Sequence, residues 1–228
     1  MGIGAINDPD PHRSASSKIH SPASWLLFLA VLLASISVAQ LLIRGGSLVG
    51  FQHELRYGEA IVLDQARRSA IDPGLYPEIG KEPWLLDQYA PFYPWIARLA
   101  GEFSSTPYGG GRVISLLSTL VSALMLTLIV RRFSGLAAGL LCGATMLTML
   151  EFLRFGFLMR VDPLALALAM VGVWCTQGKS TRIRVLGAVA FFFAVYTRQT
   201  TVALLLASYA HLFLKEGRTA LKWPVALL

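Results

Sequence analysis

Apolar runs alternate with short polar breaks along most of the chain. They occupy residues 23–43, 113–130, 135–150, 163–176, 185–197 and 201–214. Each reads as a helix of membrane character, although several fall short of the roughly 20 residues a bilayer core needs and must extend into their flanks. A seventh segment, residues 91–103, behaves differently. Phe92, Trp95, Ile96, Leu99 and Phe103 recur at helical spacing, while Pro94, Arg98 and Glu102 lie between them. Such a two-faced pattern predicts a helix lying in the membrane interface rather than crossing it.

One polar stretch interrupts this order. Residues 44–111 hold eight of the thirteen acidic residues and five of the seven tyrosines. A loop that long is functional or disordered as a rule, and its Trp, Tyr and Pro content argues against disorder. Within it, residues 59–70 predict an amphipathic helix opened by Glu59.

Composition agrees with the pattern. The chain is 55% hydrophobic and 14% charged, against about a quarter charged in soluble domains. The fold class expected is an all-α polytopic membrane protein with about six transmembrane helices and a long extracytoplasmic first loop containing interfacial helices. A net charge of +7 is then read as topogenic, and no Lys/Arg cluster resembles a nucleic-acid groove. Cys142 and Cys175 lie inside apolar runs, so neither a disulfide framework nor a metal site is indicated. The four histidines show no metal spacing, and Gly109-Gly110-Gly111 reads as a flexible connector, not a phosphate loop.

The distribution of basic residues sets the expected topology. If residues 91–103 do not cross and the N-terminus is cytoplasmic, Arg13, Lys18, Arg131, Arg132, Lys179, Arg182, Arg184, Lys215, Arg218 and Lys222 all fall inside, as the positive-inside bias requires. The expected order is a cytoplasmic tail (1–21), a first span (22–43), the outer loop (44–111), five further spans (112–215) and a cytoplasmic loop (216–228). Residues 223–228 resemble the opening of another span, so the chain is expected to be the N-terminal part of a longer protein.

This topology brings the loop, residues 151–162 and residues 196–200 to one outer face. Glu59 reads either as a base for an acceptor hydroxyl or as a first-turn acid favoured by the helix dipole. Tyr89 and Tyr93 belong to a Pro-punctuated aromatic run that shapes a cleft or joins an interfacial belt. Asp162 precedes Pro163 as an N-cap would. Arg160 is suited to gripping a phosphate through parallel hydrogen bonds, with snorkelling as its alternative. Arg198 and Gln199 form either a second phosphate contact or a plain polar hairpin tip. Arg112 is a weaker candidate, and Glu151 and Arg154 are spaced to pair with each other.

In order, Gly58-Glu59-Ala60, Leu75-Tyr76, Tyr89-Ala90-Pro91-Phe92-Tyr93, Gly111-Arg112-Val113-Ile114-Ser115, Arg160-Val161-Asp162-Pro163-Leu164-Ala165 and Thr197-Arg198-Gln199-Thr200 resemble the N-terminal half of GT-C superfamily glycosyltransferases. The protein O-mannosyltransferases and the lipid A aminoarabinose transferase belong to that group. The resemblance spans roughly residues 22–215 and rests on the whole set, not on one motif. It implies inverting transfer of a sugar from a polyprenyl-phosphate donor to a glycan, lipid or protein acceptor on the extracytoplasmic side of a bacterial inner membrane. Glu59 would be catalytic, and Arg160, Asp162, Arg198, Gln199, Tyr89 and Tyr93 would bind substrate. Participation of a divalent metal stays open. Relatives often carry two adjacent acids where this chain has Gly58-Glu59, and Lys where it has Arg198. Two other readings remain at this point: a non-catalytic membrane protein, such as a lipid-phosphate transporter or assembly partner, and a chain inactive when truncated.

Overall fold

The computed structural model describes residues 22–70, 76 and 89–217. The tail, most of residues 71–88 and the expected terminal span lie outside the described residues. Within them the fold is helical, with no strand. The elements are α1 (Pro22–Val49), α2 (Glu59–Arg68), α3 (Phe92–Gly101), α4 (Gly109–Thr148), α5 (Leu150–Phe155), α6 (Val161–Thr176), α7 (Thr181–Thr197) and α8 (Val202–Glu216). Every apolar run named above forms a helix, as does each of the two amphipathic segments.

Two of these helices, α1 and α4, are long and apolar enough to cross a membrane. Only 17% of the apolar window of α1 is buried, whereas a soluble core helix buries most of its surface. Its buried positions, Ala30, Ser37, Leu41 and Gly45, form one stripe. Leu41 packs into a cluster with Leu116, Ala123, Leu147 and Phe157. The other faces of α1 expose Trp25, Phe28, Leu29 and Leu33, a surface that favours hydrocarbon over water.

The 40 residues of α4 are not one rod. At Gly135 the backbone takes φ 84° and ψ 174°, a conformation closed to residues with a Cβ. The chain reverses there. A Cβ added at Gly139 would sit 2.5 Å from the Thr127 carbonyl, and one at Gly143 would sit 2.3 Å from the Thr127 hydroxyl. Glycines four residues apart thus let the returning helix lie directly on the outgoing one. The hairpin matches the two separate apolar runs, with Arg131 and Arg132 at its tip.

Helices α6, α7 and α8 form the second half of the bundle around Ala169, Phe191, Ala194, Tyr209 and Leu212. Arg184 clamps the start of α7 to the end of α8 through two bonds to Glu216 of 2.6 and 2.5 Å. The ten residues of α3 rise only about 15 Å, half a hydrocarbon core. This helix lies across α4 and meets α7 where the Phe92 and Phe193 rings sit 4.5 Å apart.

Candidate functional site

At the end of the bundle where α2 and α3 sit, two charged arrangements lie side by side. The deeper one is built on Glu59. Gly58, at φ 106°, is the last residue before α2, and this left-handed step turns the first helical side chain inward. Glu59 is 1% exposed and Arg112 fully buried. The carboxylate accepts from Arg112 Nε on Oε1 and from Arg112 Nη2 on Oε2, both at 2.9 Å. Leu55 N–H donates to Oε2 at 2.9 Å and Met159 N–H to Oε1 at 2.8 Å. Four donors fill a carboxylate's capacity.

Arg112 is equally committed. Its remaining N–H groups reach the carbonyls of Leu48, Phe51 and His53 at 3.0, 2.6 and 2.8 Å, and its guanidinium lies 5.0 Å from the Tyr108 ring centroid. Arg112 thereby ties the end of α1, the following loop and α2 onto α4, and Glu59 adds the entrance to α6 through the Met159 amide. Burial pushes the Glu59 pKa up. The Arg112 hydrogen bonds and charge, with the Leu55 and Met159 amides, outweigh it and hold the group below 4.5.

Tyr93 belongs to this layer. It is fully buried, and its hydroxyl donates to the Gly111 carbonyl at 3.1 Å and pairs with Ser115 Oγ at 3.2 Å. Burial, the largest influence, drives its pKa well above the usual phenol value. Gly109, Gly110 and Gly111 are buried in the first turn of α4 rather than forming a flexible connector. A Cβ on Gly110 would lie 2.5 Å from the Ala100 carbonyl carbon, and one on Gly111 would lie 2.3 Å from Met159 Cγ. Glycine stands there because α3 and the α5–α6 turn press against the helix backbone.

The second arrangement is open. A cleft of about 560 Å³ lies between α5, the start of α6, and the α7–α8 turn. Its polar lining includes Arg160, Asp162, Arg198, Glu151, Thr200 and Thr201, and Phe152, Phe155, Pro163, Leu166 and Leu204 supply apolar wall. Asp162 joins the two cations: Oδ2 accepts from Arg160 Nε at 3.2 Å, and Oδ1 pairs with Arg198 Nη1. It does not cap α6. The helix begins at Val161, with Arg160 in the cap position and no side-chain cap bond. Two guanidiniums drawn to Asp162 outcompete the local capping geometry. The Arg160 guanidinium also lies 5.0 Å from the Phe155 ring centroid, and Arg56 from the first loop lies 5.6 Å from the same ring.

Of the expected site residues, the cleft therefore gathers Arg160, Asp162 and Arg198. Glu59 occupies the same end of the bundle, one layer away: its Oε1 partner Met159 immediately precedes Arg160. It does not line the cleft, and neither do Tyr89, Tyr93 or Gln199. Tyr89 packs on the cluster of Val62, Ala66 and Tyr93, and Gln199 lies exposed in the turn before α8. Glu151 and Arg154 are both exposed and make no ion pair with each other. Glu151 is instead the second carboxylate of the cleft. Its signal in the sequence was its place among the few charges flanking apolar runs. Among the described residues no three His, Cys, Asp or Glu side chains come together.

No family model, curated protein or solved structure matches the chain.

Proposed function

We propose that the chain is the N-terminal membrane portion of a glycosyltransferase that uses a polyprenyl-phosphate sugar as donor. In this reading six spans cross a bacterial inner membrane, with the N-terminus in the cytoplasm and the cleft facing outward. The observation that carries it is the convergence of Arg160 and Arg198, from separate segments, on one cleft with apolar walls. Each spends a single N–H direction on Asp162, so Asp162 aims both guanidiniums while leaving further donors for a phosphate. The apolar wall suits the first isoprene units beside that phosphate. The alternative of a non-catalytic lipid-phosphate binder shares this grip and differs only in lacking transfer.

In the transfer step an acceptor hydroxyl oxygen bonds to the anomeric carbon as the bond to the lipid phosphate oxygen breaks. The phosphate leaves with the electron pair, and the guanidiniums stabilise its growing charge. The acceptor proton goes to a carboxylate. All four accepting directions of Glu59 are occupied, so this proton goes to Glu151 and Glu59 serves as a scaffold residue. Transfer from radiolabelled polyprenyl-phosphate sugars in membranes carrying the protein tests the assignment. Glu151→Gln is expected to lower transfer by about a hundredfold or more with polyprenyl-phosphate binding retained. Transfer within twofold of the parent would remove Glu151 from the step.

A further inference from the structure

A second charged cavity lies at the opposite end of α6, roughly 20 Å from Asp162 at 1.5 Å per residue. It measures about 330 Å³, and its lining brings together Arg132 from the α4 hairpin tip, Lys179 from the α6–α7 turn, Arg184 from α7 and Lys215 from α8. Among the described residues four cations there face a single carboxylate, Glu216, and Arg184 holds both of its oxygens. Lys179 and Lys215 make no ion pair or hydrogen bond among the described residues. Arg132 gives one long bond of 3.3 Å to the Trp174 carbonyl and stacks 4.6 Å from that indole's centroid. Positive-inside bias requires basic residues on one side of a membrane, but it does not require them to converge from four segments on one hollow.

We propose that this cavity binds the phosphodiester headgroup of an anionic phospholipid. The unspent ammonium and guanidinium donors supply the recognition of phosphate. The apolar surroundings favour a lipid over a free ion. Phe133, 71% exposed, is part of the lining, and Leu214, 85% exposed, neighbours Lys215 on α8. Acyl chains therefore have bare apolar surface to follow from the headgroup, and Trp174 stands in the last turn of α6, where an indole suits the boundary of a spanning helix. Basic pockets between helices at such a boundary are a recurrent form of headgroup site.

Native mass spectrometry of the purified protein, titrated with dioleoyl-phosphatidylglycerol, dioleoyl-phosphatidylcholine or sodium phosphate, tests this directly. The expected result is retention of phosphatidylglycerol about tenfold or more above phosphatidylcholine, undiminished by millimolar phosphate. Lys179→Gln with Lys215→Gln alters only exposed side chains and is expected to abolish the preference. Adding Ser180→Lys and Thr181→Lys, which restores the charge outside the cavity, is expected not to bring it back. Equal retention of both lipids would overturn the proposal. So would rescue by the displaced lysines, which would mean generic charge. Displacement of the lipid by millimolar phosphate would assign the cavity to the free ion and overturn the lipid.

Discussion

Replacing Arg112 by Leu isolates the contribution of the buried clamp. The change leaves the Glu59 carboxylate buried with two of its four donors gone and strips partners from the carbonyls of Leu48, Phe51 and His53. Breaking a buried, fully bonded ion pair from one side costs about 3–5 kcal/mol. For a chain of this length that corresponds to a fall in Tm of roughly 6–20 °C. A thiol-reactive dye reads the transition in detergent, in a Cys142→Ser background, because Cys175 is buried and Cys142 exposed. Converting both partners to Leu is expected not to rescue the loss, since the Leu55 and Met159 amides and three carbonyls still lack partners. An Arg112→Leu protein melting within about 2 °C of the parent would refute the structural role of the pair.

The clamp should also fail in acid. Because the folded Glu59 pKa lies below its ordinary 4.5, its contribution is fully present above that value. It is lost as pH falls through the folded pKa, so Tm should stay level from pH 7 to 5 and drop below about 4.5, less steeply in Glu59→Gln. Gly58→Ala forces a Cβ into the left-handed region with no other contact nearby and should destabilise by about 1 kcal/mol in the same melt, with Gly58→Asn milder. Gly110→Ala meets the Ala100 backbone, which cannot give way as a flexible side chain does, and should cost about 1–3 kcal/mol. A melt unchanged by Gly110→Ala would mean that α3 is not seated on α4 as described.

Helices in this chain announce themselves because each apolar run is bounded on at least one side by a charged residue. The break at Gly135 follows from Arg131-Arg132-Phe133-Ser134-Gly135, where hydrophobicity lapses before a residue able to reverse the backbone. The ten residues of α3 and the ten of α2 were legible from their two-faced periodicity. Partnership was not. Glu59 and Arg112 are 53 positions apart, and nothing in either neighbourhood names the other. A carboxylate followed by apolar residues reads equally well as a solvent-facing base or as a buried anchor until the donor is placed. Asp162 illustrates a different failure. Its position before Pro163 matches local capping grammar, yet guanidiniums two residues before it and on the turn before α8 claim both of its oxygens. Glu151 does not stand out in the sequence because a pairing with Arg154 one turn away accounts for it, whereas the extended backbone at Met149 starts a new helix that carries it to the cleft. The three glycines that open α4 read as flexible in the sequence only because their close neighbours come from distant segments.

Equilibrium binding of a sugar-free polyprenyl phosphate to the purified protein tests most directly the claim that Arg160 and Arg198 together grip a lipid phosphate. Arg160→Gln and Arg198→Gln should each weaken binding by about ten- to a hundredfold, and the corresponding polyprenyl alcohol should bind poorly to the parent. Equal affinity of both variants and the parent, or of alcohol and phosphate, would contradict it.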